Sequence, residues 1–144
     1  MPEVRREQQS ALHKSGVERI FISNRTQAHA KDIAVAFSGH FAVEVIGSWE
    51  VMNEHPADII IGTVPAETVT ESQFMNLMWQ SKGGLYIDMS YKLRLTPLMK
   101  IAQAHGSWET ANGTDVLLEQ GLIQYQIWTG MEAPREVMQA AIEQ

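Results

Sequence analysis

Apolar residues along the chain fall into short runs separated by amphipathic stretches, and the two alternate. Arg19-Ile20-Phe21-Ile22-Ser23 is entered from Gly16 and left through Asn24. Its aromatic and β-branched content predicts a buried strand. Thr26 then reads as the N-cap of a helix through about Phe37, with Ala28, Ile33, Ala34 and Phe37 apolar at helical spacing and Gly39 as its stop. A second strand is predicted over residues 41–46, closed by Gly47-Ser48, and residues 49–54 read as one or two helical turns. Asp58-Ile59-Ile60-Ile61-Gly62 gives the clearest strand signal, followed by a loop over Thr63-Val64-Pro65-Ala66. Thr70 caps a predicted helix carrying Phe74, Leu77, Met78 and Trp79, broken by Gly83-Gly84. Leu85-Tyr86-Ile87-Asp88-Met89 is the next strand, and Thr96 with Pro97 opens a helix to Ala104, ended by Gly106. A short strand is predicted over residues 108–111, a turn at Asn112-Gly113, and a long amphipathic helix over 114–128 stopped by Gly130. A final helix over 134–142 sets Val137, Met138, Ala141 and Ile142 on one side.

Strands separated by helices imply βαβ units, so the predicted fold is α/β: a Rossmann-like, mainly parallel sheet with right-handed crossovers and helices on both faces. No repeat or low-complexity linker interrupts it, and residues 1–144 read as a single domain. A dinucleotide fold opens with a strand and a glycine-rich turn, and its ribose-reading residue lies roughly 20 positions later. Counting back from Asn24 reaches Val4, where there is neither glycine nor apolar run, and Gln9 to Lys14 resembles the tail of a first helix. The expected fold therefore lacks the first strand and the glycine-rich loop. In the strand order 3-2-1-4-5-6 that strand is central. Strands 2 and 4 are then expected to carry unpaired edges, giving low stability alone, a homo-oligomer, or pairing with a partner chain.

Composition narrows the function classes. The chain has 144 residues, a net charge of −6 and no cysteine, which removes disulfides and thiolate metal sites. Acidic and basic residues are interspersed, so no field draws a nucleic-acid backbone directly. No apolar run approaches the roughly 20 residues that cross a bilayer, and the charged first residues are unlike a secretory signal. A cytoplasmic setting is expected. The five histidines show no metal-ligand spacing. Met75, Met78, Met89 and Met99 read as core filler.

Four places carry candidate chemistry. Asn24-Arg25-Thr26 ends the first strand, where an arginine suits the 2′-phosphate of NADP, although the same residues also make an ordinary cap with a solvated arginine. Thr63 and Pro65 follow Gly62, where small residues let a ligand approach the backbone or simply form a loop. Asp88 and Tyr91 close the next strand on the ligand side of such a sheet; Asp88 could equally satisfy backbone donors in a turn. Val116, Gln120, Ile123 and Ile127 fall on one helical stripe. A glutamine there needs hydrogen-bond partners, supplied by neighbouring backbone or by a ligand hydroxyl.

In order and spacing, these elements resemble the C-terminal domain of shikimate and quinate dehydrogenases. They are Asn24-Arg25-Thr26, Gly62 to Ala66, Asp88 with Tyr91, Thr96-Pro97-Leu98, Gly113 through Leu117 to Gln120-Gly121, and Trp128-Thr129-Gly130. The likeness is greatest to the dehydrogenase-like end of the fungal pentafunctional arom polypeptide and to quinate repressor proteins. It implies that Asn24, Arg25 and Thr26 hold the adenosine phosphate of NADP, and that Thr63 and Pro65 line the cofactor channel. Tyr91 would sit near nicotinamide and substrate, and Gln120 would bind a ring hydroxyl of shikimate or quinate. Leu93, Asp115 and Val116 depart from the family's usual proline, glycine and methionine. The family's catalytic lysine and aspartate belong to an N-terminal substrate domain absent here, and Lys92 lies in the wrong segment to replace them. The resemblance thus implies NADP-linked reduction of 3-dehydroshikimate in aromatic amino-acid biosynthesis, with negligible turnover by this chain alone. The alternative is a non-catalytic, metabolite-sensing module of a quinate-repressor-type transcriptional regulator.

Overall fold

A computed structural model describes residues 16–39, 42–47, 57–68, 70–71 and 82–142. The expected helix tail over 9–14, the turns at 49–54 and the helix carrying Phe74 to Trp79 lie outside the described residues, as does Phe41 at the start of the second predicted strand. The chain divides into two compact units, Met1–His55 and Pro56–Gln144.

In the first unit, β1 (Arg19–Ser23) lies parallel to β2 (Ala42–Ile46), in register from Arg19 opposite Ala42 to Ser23 opposite Ile46. The crossover is α1 (Gln27–Phe37), as the alternating pattern requires. Ile46 and Ala30 are buried and Ala34 is half-buried. Ile33 and Phe37, expected on the inner face, are exposed, and so is Ala28. A two-stranded ribbon covers less of a helix than a full sheet does, so the stripe that stays dry runs through the small residues Ala30 and Ala34.

In the second unit, β3 (Ile59–Gly62), β4 (Gly84–Asp88) and β5 (Trp108–Ala111) form a parallel sheet in the order β3-β4-β5. A short 3-10 turn, Ala66–Thr68, begins at the last residue of the predicted loop after β3. The crossover α2 (Pro97–Ala104) packs on β4 and β5 and buries Leu98, Met99, Ile101 and Ala102. With Ile60, Tyr86 and Trp108 these residues make the core, and each large apolar side chain contributes about 1.5–3 kcal/mol by leaving water. Met99 fills core space as expected; Met89 does not, and stands exposed just past the end of β4. Met75 and Met78 lie outside the described residues.

The chain then runs through α3 (Gly113–Thr129), ended by Gly130 in the left-handed conformation, and α4 (Arg135–Ile142). The two helices pack on each other: Gly121 leaves room for the tip of Met138, and Arg135 Nη2 donates to Glu119 Oε1 at 2.7 Å. Of the predicted inner side of α4, Met138 and Ile142 are half-buried, whereas Val137 and Ala141 are exposed.

Among the described residues β1 pairs only with β2, and β3 only with β4. These are the pairings that the order 3-2-1-4-5-6 leaves once its central strand is set aside. The mixed α/β architecture with parallel strands agrees with the sequence expectation.

Candidate functional site

All strands within each unit are parallel, so the turns leaving their carboxyl ends share one rim in each unit, and the sequence-predicted residues other than Gln120 sit on or beside those turns. In the first unit that rim is Asn24-Arg25-Thr26. Asn24 Oδ1 accepts from Thr26 N at 3.0 Å, an Asx turn that swings the chain from β1 into α1. Thr26 is the N-cap residue of α1, yet its side chain makes no capping hydrogen bond. Arg25 is exposed and forms no salt bridge with another described residue. The triplet thus presents a guanidinium and a hydroxyl at a helix N-terminus with no acidic side chain in its first turn, an arrangement suited to an anion.

In the second unit the rim is built around Asp88. Gly62 and Asp88 stand in register on β3 and β4, and Met89 N donates to Gly62 O at 2.9 Å, so the turns after the two strands leave side by side. Thr63 and Pro65 are exposed on the first turn, and Tyr91 is 69% exposed on the second. Beneath them Asp88 is only 2% exposed. Its Oδ2 accepts from the Tyr86 hydroxyl at 3.0 Å and from Thr96 Oγ1 at 2.6 Å, while Oδ1 accepts from Ser90 N at 2.9 Å. A carboxylate taken from water is tolerable only when its oxygens are met by donors in this way. Asp88 therefore serves its own turn and its neighbours, the second of the two roles its position allowed.

Thr96 is fully buried and uses its hydroxyl twice. It donates to Asp88 and accepts from Met99 N at 3.3 Å as the cap of α2. Tyr86 and Asp88, two apart on one strand, project from the same face of the sheet. Burial first, and then the Asp88 charge, push the Tyr86 phenol far above its ordinary range, so its proton stays in place for donation. Gly62 makes this geometry possible, because a Cβ there would overlap the Tyr86 hydroxyl. Neither Tyr86 nor Gly62's role was read from the sequence; the signal that could have found Tyr86 is its two-residue spacing from Asp88.

The same rim receives the start of α3. Gly113 N donates to Ser90 O at 3.0 Å, and a Cβ on Gly113 would strike the carbonyls of Met89 and Ser90. Asn112 caps the helix: its Oδ1 accepts from Thr114 N and Asp115 N, and Asp115 Oδ2 accepts from Asn112 N at 2.8 Å. That reciprocal box gives Asp115, one of the departures from the family pattern, a structural reason.

Gln120 lies two turns further along α3, and its surroundings differ from the expectation. The stripe Val116, Gln120, Ile123 and Ile127 does not face a core. Gln120, Ile123 and Ile127 are exposed and Val116 is half-buried, and Leu117 and Trp128 extend the uncovered side. The half-buried side of α3 instead carries Leu118, Gly121, Leu122 and Tyr125, because Gly121 is where α4 comes close. The Gln120 carboxamide makes no hydrogen bond to another described residue and is exposed. Tyr91, Thr63, Pro65 and Gln120 belong to one unit and Asn24, Arg25 and Thr26 to the other.

Lys92 is exposed and pairs with Glu67 at 3.5 Å across the two turns. The Glu67 carboxyl is held below its ordinary range, mainly by a backbone hydrogen bond, with Lys92 adding to the effect. No group of three or more histidine or acidic side chains arranged to hold a metal exists among the described residues. No helix among the described residues is long and apolar enough to cross a membrane.

Comparisons with known proteins bear on this rim. Residues 113–143, the helix pair α3 and α4 that carries Gln120, match the family described as Shikimate 5'-dehydrogenase C-terminal domain. The chain is similar to the Pentafunctional AROM polypeptide of Scheffersomyces stipitis, 31% identical over 144 residues, covering 92% of this chain and 9% of that protein. It is also similar to the Quinate repressor protein of Emericella nidulans, 31% identical over 158 residues, covering 93% of this chain and 17% of the repressor. The solved structure of dehydroquinate dehydratase and shikimate dehydrogenase from S. pombe AroM superposes with a TM-score of 0.76 at 27% identity, over 94% of this chain and 27% of that one. The chain thus spans less than a fifth of the length of these curated relatives. The likeness in fold and sequence that the ordered motifs suggested is therefore real.

Proposed function

We propose that this chain, a relative of the shikimate 5'-dehydrogenase C-terminal domains, is the nucleotide- and ring-binding part of a dehydrogenase of that type, serving NADP and shikimate or quinate. The observation that carries the reading is the tip of β1: an Asx turn presents Arg25, which has no ion-pair partner among the described residues, beside a Thr26 hydroxyl that its own helix leaves unused. Those two groups with Asn24 would hold the adenosine phosphate. Thr63 and Pro65 would line the cofactor channel, Tyr91 would stand by the nicotinamide and the ring, and Gln120 would donate to and accept from a ring hydroxyl. The bound nicotinamide supplies hydride transfer, and the residues of this chain bind and orient the partners.

Turnover by the chain alone is expected to be negligible. Lys92, the lysine closest to the rim in sequence, is exposed and engaged with Glu67 rather than desolvated and poised for proton transfer. Mixing the chain with shikimate and NADP should give no NADPH above background.

Calorimetry of the whole chain with NADP, NAD, shikimate and quinate tests the reading. Arg25→Ala should weaken NADP by roughly tenfold or more, since a charged hydrogen bond contributes about 1.5–3 kcal/mol, and should leave NAD unchanged. Binding of neither nucleotide, or equal NADP affinity in the variant, would overturn it.

The similarity to a quinate repressor supports a second reading, a metabolite-sensing module in which ring occupancy is passed to a partner. Ring binding with no turnover, and with a change in assembly state on binding, favours it. The edges of β1 and β3 that are unpaired among the described residues are where a partner strand, from another copy or another chain, would add.

A further inference from the structure

Asp88 is the most deeply buried acidic side chain among the described residues, and the proposed function does not use it directly. It accepts from one backbone amide and two side-chain hydroxyls. Through Ser90 N it closes the turn that leads to Tyr91. Through Thr96 Oγ1, which also accepts from Met99 N, it is tied to the first turn of α2. The Tyr86 hydroxyl that it accepts from lies packed over Gly62, at the tip of β3, the strand that leads into Thr63. Ser90 in turn accepts from Gly113 N, the start of the helix bearing Gln120. One buried carboxylate therefore links the bases of every second-unit residue assigned to ligand, and it touches no surface a ligand could reach.

We propose that Asp88 is a positioning residue: with Tyr86 and Thr96 it fixes the Ser90–Tyr91 turn against the start of α3, so that Tyr91 and Gln120 are held ready for the ring. The ligand clause of this rests on the functional reading above; the fixing of the turn does not. Asparagine at 88 keeps the shape but loses one acceptor oxygen, so it cannot take both hydroxyl protons and the Ser90 amide as before. Valine at 96 removes the hydroxyl and keeps the bulk, whereas serine keeps the hydroxyl.

The experiment has two arms on the whole chain. Amide hydrogen exchange at Ser90 and Gly113, read by NMR, should speed up at least tenfold in Asp88→Asn and Thr96→Val and return to within about twofold of the parent in Thr96→Ser. Exchange at amides of β1 and α1, in the other unit, should stay unchanged, which separates local release from general unfolding. In the second arm, shikimate or quinate affinity should fall tenfold or more in Asp88→Asn and Thr96→Val and recover in Thr96→Ser. If Asp88→Asn fails to fold, the Thr96 pair decides both arms. Unchanged Ser90 and Gly113 exchange, or an equal rise throughout both units, overturns the positioning role. Absence of ring binding in the parent chain overturns the ligand clause together with the functional reading and leaves the exchange arm to decide the rest.

Discussion

Tyr86 shows most directly what a single residue contributes here. Its ring is 1% exposed, and its hydroxyl ends on the carboxylate of Asp88. Burial and that neighbouring charge raise its pKa, so the unfolded chain loses the phenolic proton before the folded one does. The folded state then holds more protons than the unfolded state above pH ~10, the ordinary tyrosine value, and stability must fall as pH rises through that region. Urea midpoints measured from pH 8 to 11 should decline steeply at the alkaline end for the parent chain. Tyr86→Phe should be less stable at neutral pH by about 1 kcal/mol, the usual worth of a hydrogen bond, and should lose most of that alkaline slope. Gly62→Ala tests the same contact from below. Its methyl would displace the Tyr86 hydroxyl and cost roughly 1–3 kcal/mol, as overpacking does, which thermal unfolding would register.

Among the elements, α3 combines a part that was legible in the sequence with a part that was not. Asn112-Gly113 and Gly130 marked both ends, because caps depend on local chemistry that the sequence displays. Asn112→Ala should lower stability by about 1 kcal/mol, the usual loss for such a cap. Which side of the helix is dry was not legible. Helical spacing groups Val116, Gln120, Ile123 and Ile127, but it cannot say that α4 approaches through Gly121, a choice made by residues far along the chain. The same holds for α1, where Ala30 and Ala34 rather than Ile33 meet the strands. Because Gln120 is exposed, Gln120→Ala should change stability by no more than about 0.5 kcal/mol. Any loss of ring affinity in that variant can then be assigned to the ligand contact. Asp88 was placed correctly at a carboxyl tip, but its three donors come from residues 86, 90 and 96, and only their joint burial reveals the arrangement.

At the scale of the whole molecule, the alternation of strands and helices was enough to foresee parallel sheets, since a parallel pair demands a crossover. The division into a two-stranded and a three-stranded sheet among the described residues was not read from the sequence, which predicted one mainly parallel sheet. Each sheet has a strand, β1 or β3, with one edge unpaired among the described residues. The expected outcome in solution is a mass that rises with concentration in sedimentation experiments, suppressed by a proline placed at Ile59 or Ile61 on β3, whose amides both face away from β4. A constant monomer mass at all concentrations would exclude assembly through those edges. The bare side of α3 has a practical consequence of its own. Leu117, Ile123, Ile127 and Trp128 offer a greasy landing place on a fully formed helix. A fluorescent dye that lights up on apolar surface, commonly taken as the mark of a loosened core, would glow on the intact molecule at room temperature. Melting curves followed that way would start high and understate its order, and the sheltered indole of Trp108 would be the truer reporter.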